Sequence, residues 1–340
     1  MSGARREPSW HPGRSVRECD RSNTPTRCNH QDPRIDSRPL WAAATAATTG
    51  GTLGDASVCE TAGWDSIRGT YANTGGPAMT DTSHAHLTDK DGVVTVTFNR
   101  PDKHNAISDA MTGLLWKAVR DLQTRDDLGA MVIRAVGPYF TAGIDISGID
   151  ISERTPSQYL RDYREHTALY DAFERLDRPV ILAAQGHCFG AGVEMAASCD
   201  FRFAAPSATF ALPEINLAVI PGSGGISRLA RLVGPQWVKW LAMAGQSIDA
   251  ERAREIGLVH EVYPDAEFHD RVHAFAKNLA GLPRQAVGIA KLAVDLCENT
   301  DPTSARQVEQ IANAVLAFGD EHKQRVAEFN ERGGRRQHRS

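Results

Sequence analysis

The sequence predicts an α/β fold that ends in a series of helices. From about residue 85 to Pro221, short runs rich in β-branched residues alternate with longer stretches of helical pattern. After Pro221, helical patterns follow one another with a single strand-like interruption at 258–263. No internal sequence repeat is present. These observations favour alternating strands and helices followed by a helical appendix.

The individual elements follow in chain order. Val93–Phe98 is predicted to be a strand because it is rich in β-branched residues, and the polar segment N-R-P-D-K-H-N-A after it is typical of a turn. Ser108 is predicted to cap a helix whose apolar face comprises Met111, Leu114, Leu115, Ala118 and Leu122. Further predicted strands are 130–136, Val180–Ala184 and 200–204. The other predicted helices are 156–176, 223–233, 235–244, 249–256, 266–280, 284–297 and 303–331.

Residues 1–80 differ in composition from the rest of the chain. They contain nine arginines and no lysine, are rich in Ser, Thr, Gly and Pro, and show no sustained helical or strand period. We therefore expect a disordered tail, or residues upstream of a true start at Met79, the first methionine after Met1. An organelle transit peptide is disfavoured, because the segment also carries acidic residues.

Charge and cysteine content argue against several classes of protein. The formal net charge is -4, so no electrostatic argument for nucleic-acid binding arises. No apolar stretch approaches the roughly 18 residues that a membrane helix needs. The six cysteines form no C-x-x-C pair, so there is no zinc or thioredoxin-type signal. Scattered cysteines in a chain of this length favour a reducing, cytoplasmic location.

Four common nucleotide-binding or catalytic motifs are absent. The glycine stretch that starts at Gly190 has Met195 where a dinucleotide fingerprint has its third glycine. No G-x-x-x-x-G-K-[ST] phosphate loop and no G-x-S-x-G elbow occur. The segment H-E-V-Y-P has Pro264 where a zinc protease has its second histidine. The sequence therefore contains none of the usual motifs for nucleotide transfer, serine hydrolysis or zinc proteolysis.

Two glycine-containing loops each follow a predicted strand. They are F-T-A-G-I-D at 140–145 and F-G-A-G-V-E at 189–194. Small residues leave backbone N–H groups uncovered, and two such groups aimed at one point form an oxyanion hole. Alternatively, both loops are tight strand-to-helix turns in which glycine serves only close packing or a positive φ. The residues alone leave both interpretations open.

Two glutamates lie beside glycine turns in apolar surroundings. Glu194 closes the second loop, and Glu214 follows Pro213 shortly before the segment I-P-G-S-G-G at 220–225. Partial burial raises the pKa of a carboxyl group toward neutrality, so such a pair is suited to acid and base catalysis. Alternatively, Glu194 is a solvated surface charge, and Glu214 is a carboxylate stabilised near a helix N-terminus.

Five motifs, taken in order, resemble the signatures of the enoyl-CoA hydratase/isomerase (crotonase) family. They are N-R-P-D-K-H-N-A at 99–106, F-T-A-G-I-D at 140–145, G-H-C-F-G-A-G-V-E-M-A-A-S-C-D at 186–200, F-A-L-P-E at 210–214 and I-P-G-S-G-G-I-S-R-L at 220–229. The resemblance spans about 85–332. It implies a crotonase-like spiral of ββα units over 81–280 and a helical region over 281–335 that packs homotrimers or homohexamers. It also implies an acyl-CoA thioester substrate and no metal or redox cofactor.

The resemblance also implies roles for residues at matching positions. The backbone N–H groups of Ile144 and Ala191 would form the oxyanion hole. Glu194 would help to activate water, and Glu214 would protonate the α-carbon. Ile144 is bulkier than the usual alanine and would narrow the acyl pocket, and Ser147 stands where many relatives have a lysine that helps to hold the CoA phosphates. The positions expected to bind substrate are Ala142, Ile144, Asp145, Ile146, Ser147, Ala191, Gly222, Phe329 and Arg332.

The predicted reaction is hydration of trans-2-enoyl-CoA to 3-hydroxyacyl-CoA through a thioester enolate. The nearest alternative is a Δ3,Δ2-enoyl-CoA isomerase, which can work with one carboxylate. Dienoyl-CoA isomerases have aspartates where this chain has Gly222 and Glu194, which counts against that branch. A non-catalytic acyl-CoA-binding homologue is a third alternative, which the presence of both glutamates disfavours.

Overall fold

The computed structural model describes residues 83–148 and 154–337, in which nine strands form two sheets. The strands are β1 Ala85–Lys90, β2 Val93–Phe98, β3 Ala130–Ala135, β4 Val180–Ala184, β5 His187–Phe189, β6 Phe201–Ala204, β7 Thr209–Ala211, β8 Ile248–Asp249 and β9 Glu261–Val262. The first sheet has the order β1-β2-β3-β4-β6-β9 and is parallel except for the β1–β2 pair. The second sheet has the order β5-β7-β8, in which only β5 and β7 are parallel.

Ten α-helices lie between or after these strands in the described residues. They are α1 Asp109–Thr124, α2 Pro156–Arg175, α3 Ala191–Ala197, α4 Gly225–Leu232, α5 Pro235–Val238, α6 Ala250–Glu255, α7 Phe268–Ala280, α8 Arg284–Glu298, α9 Pro302–Ala317 and α10 Asp320–Gln337. Helix α5 continues directly into a π-helical turn, Lys239–Met243, within the helix predicted at 235–244. A 3-10 turn at Pro213–Leu217 carries one of the two glutamates.

Helices cover both faces of the first sheet. Val94, Val96 and Phe98 of β2 belong to a core shared with α1, whereas Val93 belongs to a second core shared with α7. All six residues of β2 are buried. A parallel sheet that is covered on both faces requires nearly continuous apolar strands. This explains why β2, β3 and β4 were the strands most easily predicted from the sequence.

The apolar face predicted for the first helix is confirmed. All five of its predicted residues are buried in α1, and the Ser108 hydroxyl accepts a hydrogen bond from Met111 N at 3.5 Å as the N-cap. The same hydroxyl hydrogen bonds with His84 Nδ1 at 2.9 Å, which fixes the start of α1 beside β1. Helix α1 thereby packs on the strands that lead into the first glycine loop.

The long helix predicted at 303–331 is wrong, because the chain forms two helices there. Helix α9 ends at its C-cap Phe318, and Gly319 N donates to Leu316 O at 3.0 Å before α10 begins. Glycine is a poor helix former and is common just after helix ends, so Gly319 accounts for the break. The helical pattern of polar and apolar residues continues across this position, so the pattern predicted one helix and not two.

The strand predicted at 258–263 is also shorter than expected, and only β9 forms. The N–H groups of Leu258 and Val259 both donate to Ala253 O, at 2.8 and 3.1 Å, so these residues still wrap the end of α6. Strands β1, β5, β7 and β8 were not predicted. Three of these four have two or three residues, which is too short for a periodic pattern to be recognised.

The described residues begin at Ser83, so the prediction for residues 1–80 lies outside them. The division into 81–280 and 281–335 stays a prediction, although α8, α9 and α10 occupy most of the second region. Among the described residues, no helix combines the length and apolar character needed to cross a bilayer.

Candidate active site

The two glycine loops lie side by side. Thr141 forms an isolated parallel bridge with β5, in which Thr141 N donates to His187 O at 2.8 Å and Phe189 N donates to Thr141 O at 3.0 Å. At Gly143, an added β-carbon would lie 3.3 Å from Phe189 O and 3.7 Å from Ala191 N. The φ angle of Gly143 is +103°, which side chains rarely allow. The glycine therefore permits direct contact between the loops.

Two backbone N–H groups at this contact have no acceptor within the described residues. Ile107 N donates to Gly143 O at 2.8 Å, and Asp145 N donates to Ile107 O at 3.0 Å. The N–H of Ile144, between these two bonded groups, therefore points away from Ile107. Ala191 is the first residue of α3, so its N–H is unpaired within the helix. The family resemblance implies that these two groups are the oxyanion donors. That role stays a prediction, and the structure brings their loops together.

Glu194 lies in the first turn of α3 and is only 2% exposed. Its Oε1 accepts hydrogen bonds from Ser223 N at 2.7 Å and from Gly225 N at 3.2 Å. Burial raises the pKa of the Glu194 carboxyl, and these two hydrogen bonds act in the opposite direction. Within the described part of the chain, no group donates to its Oε2. The interpretation of Glu194 as a solvated surface charge is therefore wrong.

Glu214 lies in the Pro213–Leu217 turn, beside the start of α3. A β-carbon added at Gly190, whose φ is +55°, would lie 3.0 Å from Glu214 Oε1, so glycine permits this close approach. Burial raises the pKa of Glu214 to about 7, and the negative charge of Glu194 acts in the same direction. The buried Oε2 of Glu214 has no hydrogen-bond partner among the described residues. The two carboxylates are thus close enough to affect each other's ionisation.

Two tyrosines of α2 form one wall of this site. A β-carbon added at Gly222 would lie 2.5, 2.7 and 2.8 Å from the Cε1, Cζ and Oη atoms of Tyr163. Tyr170, two turns further along, donates to Ala191 O at 3.2 Å. Burial and the charge of Glu194 raise the pKa of both phenols, so both remain protonated at neutral pH.

Arg228 of α4 ties the turn at 223–225 to α2. Its Nη1 donates to Ser223 O at 2.8 Å, and its guanidinium forms ion pairs with Asp171 at 2.6 Å and with Glu174 at 2.5 Å. The positive charge of Arg228 also lowers the pKa of Glu194. The turn that supplies the N–H donors to Glu194 is therefore held by side chains of a different helix.

The residues of the first loop that were predicted to bind CoA lie at or near the surface. Asp145 forms an ion pair with Arg100 at 2.6 Å and accepts hydrogen bonds from Ser147 N and Oγ at 3.1 and 2.5 Å. Hydrogen bonds from Ser147 and Arg100 hold the pKa of Asp145 well below its usual range. Ala142 is exposed, and Ile146 is 60% exposed. Asp145 therefore orders this loop, while its neighbours stay accessible.

Two predicted substrate-binding residues lie in α10, outside the set of contacts around the glutamates. Phe329 is 76% exposed. Helix α10 is held near the start of α8, where Arg284 N donates to Glu321 Oε1 at 3.1 Å and Arg325 donates to Gly281 O at 3.4 Å. The Arg332 side chain lies outside the described part of the structure. The roles of both residues stay predictions.

Two cavities differ in their relation to the glutamates. One of about 20 Å³ is lined by Ile144, Tyr170 and Ser223, among others. This volume suits about one water-sized group. A second cavity of about 400 Å³ is lined by Arg134 and His269, among others, and by neither glutamate. The enclosed space beside the predicted oxyanion donors is therefore small.

Comparison with known families accounts for this arrangement of loops and glutamates. The sequence profile described as "Enoyl-CoA hydratase/isomerase" matches residues 88–336. The chain belongs to the enoyl-CoA hydratase/isomerase family. The family prediction that rested on five motifs in order is therefore confirmed.

Named members of the enoyl-CoA hydratase/isomerase family resemble this chain over most of its length. "Probable enoyl-CoA hydratase 2, mitochondrial" from Arabidopsis thaliana is 32% identical over 244 residues, 71% of this chain and 80% of that protein. "4-chlorobenzoyl coenzyme A dehalogenase-1" from Arthrobacter sp is 28% identical over 254 residues, 72% of this chain and 90% of that protein. The crystal structure of enoyl-CoA hydratase from Bacillus anthracis is 28% identical, with a TM-score of 0.68, and covers 73% of this chain and 96% of that one. The predicted crotonase-like fold is confirmed, and members named for different reactions belong to this family.

Sequence reasoning missed several side chains around the site of this family member. Three of them, Tyr163, Tyr170 and Glu174, lie in the helix predicted at 156–176, to which no site residue was assigned. Their spacing of seven and four residues places them on one helix face, which was an available signal. Arg228 lies within the last of the five motifs, but its role depends on acidic partners more than 50 residues earlier in the chain.

Proposed function

We propose that this protein is an enoyl-CoA hydratase that converts trans-2-enoyl-CoA to 3-hydroxyacyl-CoA. The observation that carries the proposal is the pair of neighbouring carboxylates near the start of α3, the buried Glu194 and the half-buried Glu214, whose Oε2 is buried. The backbone N–H groups of Ile144 and Ala191, which have no acceptor among the described residues, lie where the two loops meet. Two acid–base groups beside two oxyanion donors suit addition of water to an activated double bond.

In the proposed reaction, the thioester oxygen accepts hydrogen bonds from Ile144 N and Ala191 N. Glu194 takes a proton from water while the water oxygen bonds to the β-carbon, and the electron pair of the double bond moves toward the thioester. The resulting enolate oxygen is stabilised by the two donors, each of which contributes about 2.7–4 kcal/mol to lowering such a barrier. Glu214 gives its proton to the α-carbon, and proton exchange with solvent restores the pair. The reaction needs no cofactor beyond the CoA of the substrate.

The environments of the two glutamates support this division of roles. Burial raises the pKa of Glu214 to about 7, so it holds a proton for much of the time at neutral pH and can act as an acid. Burial raises the pKa of Glu194, whereas the two backbone hydrogen bonds and the positive charge of Arg228 lower it. These lowering contributions favour the ionised carboxylate, which is the form that acts as a base. Groups that interact this closely titrate as a pair.

Gly222 supports the hydratase over the dienoyl-CoA isomerase alternative. The sequence resemblance places an aspartate at this position in dienoyl-CoA isomerases. Here the Tyr163 ring occupies the space, because a β-carbon at Gly222 would lie within 2.8 Å of three of its atoms. A second acid at this position would require Tyr163 to move.

A Δ3,Δ2-enoyl-CoA isomerase is the second candidate. That reaction needs one carboxyl group that both accepts and donates a proton, and a group with a pKa of about 7, such as Glu214, is suited to both steps. The two candidates differ in Glu194. A hydratase requires it to activate water, whereas the isomerase can work without it.

Turnover of crotonyl-CoA, followed by loss of the absorbance of the conjugated thioester, tests the proposal. The panel should extend to medium-chain and branched enoyl-CoAs and to a 3-enoyl-CoA. We expect Glu194→Gln and Glu214→Gln each to lower kcat by about 10²–10⁴-fold. Glu309→Gln, which changes an exposed glutamate of α9, is the matched control and should leave kcat unchanged.

Three results would contradict the proposal. Conversion of 3-enoyl-CoA without water addition would establish the isomerase instead. Binding of acyl-CoA without turnover, unaffected by either glutamine variant, would establish a non-catalytic acyl-CoA-binding protein. Turnover of neither enoyl-CoA class but of another acyl-CoA would place the chain in a different branch of the family.

Two further features belong to the same proposal. We propose a homotrimer or homohexamer, because α8, α9 and α10 carry large apolar side chains that are exposed in the single chain. We also propose a cytoplasmic location with no nucleic-acid or membrane partner, although the relative from Arabidopsis is named as mitochondrial. Sedimentation analysis tests the assembly, and cell fractionation tests the location.

A further inference from the structure

The polar turn at 99–106 is one of the five motifs, yet none of its side chains has a part in the proposed reaction. Asn105 is its one buried residue, at 0% exposure. The φ angle of Asn105 is +52°, a left-handed conformation that asparagine adopts more readily than most residues. A fully buried amide needs partners for its donors and its acceptor, so the partners of Asn105 indicate the role of this turn.

The Asn105 side chain spans the turn that joins β3 to the first glycine loop. Its Nδ2 donates to Val136 O at 2.9 Å and to Tyr139 O at 2.8 Å. Its Oδ1 accepts from Arg100 N at 2.7 Å. Since the two carbonyls only accept and the N–H only donates, these partners fix the orientation of the amide. One side chain thus binds the start of the loop to the turn at 99–106.

The backbone of the same turn binds the next residues of the loop. Asn105 O accepts from Thr141 Oγ1 at 2.7 Å, and this hydroxyl accepts in turn from Gly143 N at 3.1 Å. Ala142 N donates to His104 O at 3.0 Å. Thr141 is 0% exposed, so water does not compete for the bonds of its hydroxyl. The loop therefore follows the turn residue by residue.

The far end of the loop is fixed by Ile107, two positions after Asn105. Ile107 N donates to Gly143 O at 2.8 Å, and Ile107 O accepts from Asp145 N at 3.0 Å. Ile144 lies between those two bonded residues, and its N–H points away from Ile107 and has no acceptor among the described residues. The direction of that N–H is therefore set by a segment that begins at Asn105.

We propose that Asn105 is a positioning residue that holds the first glycine loop against the turn at 99–106 and thereby aims the Ile144 N–H at the thioester oxygen. The oxyanion role of that N–H rests on the proposed function. The hold on the loop does not, because it concerns only hydrogen bonds within the chain. Asn105 is fully buried, so it acts through the loop and not on the substrate itself.

Arg100 holds the same loop by a second route and has to be separated from Asn105. Its Nη1 pairs with Asp145 Oδ2 at 2.6 Å and donates to Ala106 O at 3.2 Å. Asn105→Asp leaves this ion pair in place and keeps an oxygen acceptor for Arg100 N. Aspartate also tolerates the positive φ. The variant replaces the two Nδ2 donors by an oxygen that repels both carbonyls.

Hydrogen–deuterium exchange, followed by mass spectrometry of peptides, tests the hold on the loop without substrate. In Asn105→Asp, we expect the amides of 141–145 to exchange about 10-fold faster, because two hydrogen bonds that oppose local opening are lost. Asn99→Asp makes the same chemical change at an exposed position of the same motif and should match the wild type. Equal exchange of 141–145 in the two variants would overturn the inference, as would an equal acceleration of α1, which indicates global destabilisation alone.

Thr141→Val and Thr141→Ser test the same hold through its other link, and they serve if Asn105→Asp does not fold. Valine removes the hydroxyl that donates to Asn105 O, whereas serine keeps it. We expect faster exchange of 141–145 in Thr141→Val and recovery of most of the protection in Thr141→Ser. Equal exchange in these two variants would show that the hydroxyl does not hold the loop, and would contradict the inference.

The infrared band of a bound thioester carbonyl tests the aim of the Ile144 N–H. The probe is butyryl-CoA with carbon-13 at the thioester carbon, which has no double bond to hydrate. Hydrogen bonds to a carbonyl lower its stretching frequency, so binding to the wild type should move the band below its position in solution. Part of that shift should be lost in Asn105→Asp, and an undiminished shift would contradict the proposed aim.

Kinetics give a further readout if the wild type hydrates an enoyl-CoA. Asn105→Asp should lower kcat by about 100-fold, at the lower end of the effect of losing one oxyanion donor, and should change KM by less. A purely stabilising role would leave the kcat of the folded protein unchanged, and that result would overturn the inference. If the wild type shows neither hydration nor a shifted carbonyl band, the proposed function fails, whereas the exchange measurements still decide whether Asn105 holds the loop.

Discussion

At the residue scale, the candidate site depends on glycines that let larger groups come close. A β-carbon added at Gly225 would lie 2.7 Å from Cγ and 2.9 Å from Oε1 of Glu194. Both distances are shorter than real β-carbon contacts, so any side chain at 225 must push Glu194 away. The glycine is thus required by the position of the carboxylate and not only by the turn.

Gly225→Ala should therefore lower kcat by about 100-fold, because a displacement of about 1 Å at a reacting group has that effect. The measurement is steady-state turnover, with circular dichroism to confirm the fold. Gly113→Ala is the matched control, since an added β-carbon there meets nothing within 4 Å. That control should leave kcat unchanged and stabilise α1 by about 0.5–1 kcal/mol. Equal kcat values for the two variants would contradict the steric explanation.

Glu214 should also make stability depend on pH. Burial raises its pKa to about 7 from an ordinary value of 4.5, so between these values the folded state binds more protons than the unfolded chain. Stability is therefore greatest below the lower value and falls as pH rises through the upper one. Between pH 5 and pH 8, the wild type should lose about 1 kcal/mol relative to Glu214→Gln, after allowance for partial exposure. Urea unfolding at both pH values measures this, and parallel profiles would contradict it.

At the scale of single elements, α2 contributes more to the site than any motif suggested. It carries Tyr163, Tyr170 and the acidic partners of Arg228. Its first turn is held by a capping box in which Thr155 Oγ1 accepts from Gln158 N at 3.2 Å and Thr155 N donates to Gln158 Oε1 at 2.8 Å. The stability of this cap therefore bears on the wall that faces the glutamates.

Thr155→Ala should destabilise the protein by about 1 kcal/mol, the usual effect of removing an N-cap side chain. Chemical denaturation measures the change. Thr155→Ser retains the hydroxyl acceptor and should stay within a few tenths of a kcal/mol of the wild type. A loss of similar size in both variants would show that the methyl group, and not the cap, stabilises this turn.

At the scale of the whole molecule, the C-terminal helices expose a continuous apolar face. Three apolar residues at the end of α9 are largely exposed: Ile311 is 67% exposed, Val315 is 62% exposed, and the C-cap Phe318 is 82% exposed. Their spacing of four and three residues places them on one side of the helix. Exposed apolar surface of this kind is typical of an interface between protein chains. The proposed oligomer would bury it.

Val315→Glu should therefore shift the protein toward monomers in sedimentation velocity, because it places a charge in the proposed interface. Asn313→Glu adds the same charge at an exposed position on another side of α9 and should leave the assembly unchanged. A wild type that sediments as a monomer, or a Val315→Glu variant that sediments like the wild type, would contradict the proposed use of this face.

The sequence was sufficient for the parts of the fold and site that depend on local patterns. β2 and β4 were predicted with the observed bounds, and α1 with the observed buried face. Glu194 was predicted to lie beside a glycine turn, and in the structure it follows Gly190 in the first turn of α3. In each case the residues that define the feature lie within a few positions of one another, so hydrophobic period or turn chemistry was enough to find them.

Features that join distant segments could not be predicted in the same way. Ser223 and Gly225 donate to a carboxylate about 30 residues earlier, and Arg228 binds acids more than 50 residues earlier. Tyr163 meets Gly222 only because α2 folds back over the last motif. Such contacts are set by packing between helices, and a single sequence contains no local signal for them.

The contact between the two glycine loops has a consequence for inherited variation. The proposed donors at Ile144 and Ala191 belong to the main chain, so many codon changes at these two positions would leave them present. The neighbouring Gly143 and Gly190, both at positive φ, have no such tolerance. A scan of all single substitutions should therefore find its most sensitive codons beside the residues that act on the substrate, and conservation at 144 and 191 alone would understate their importance.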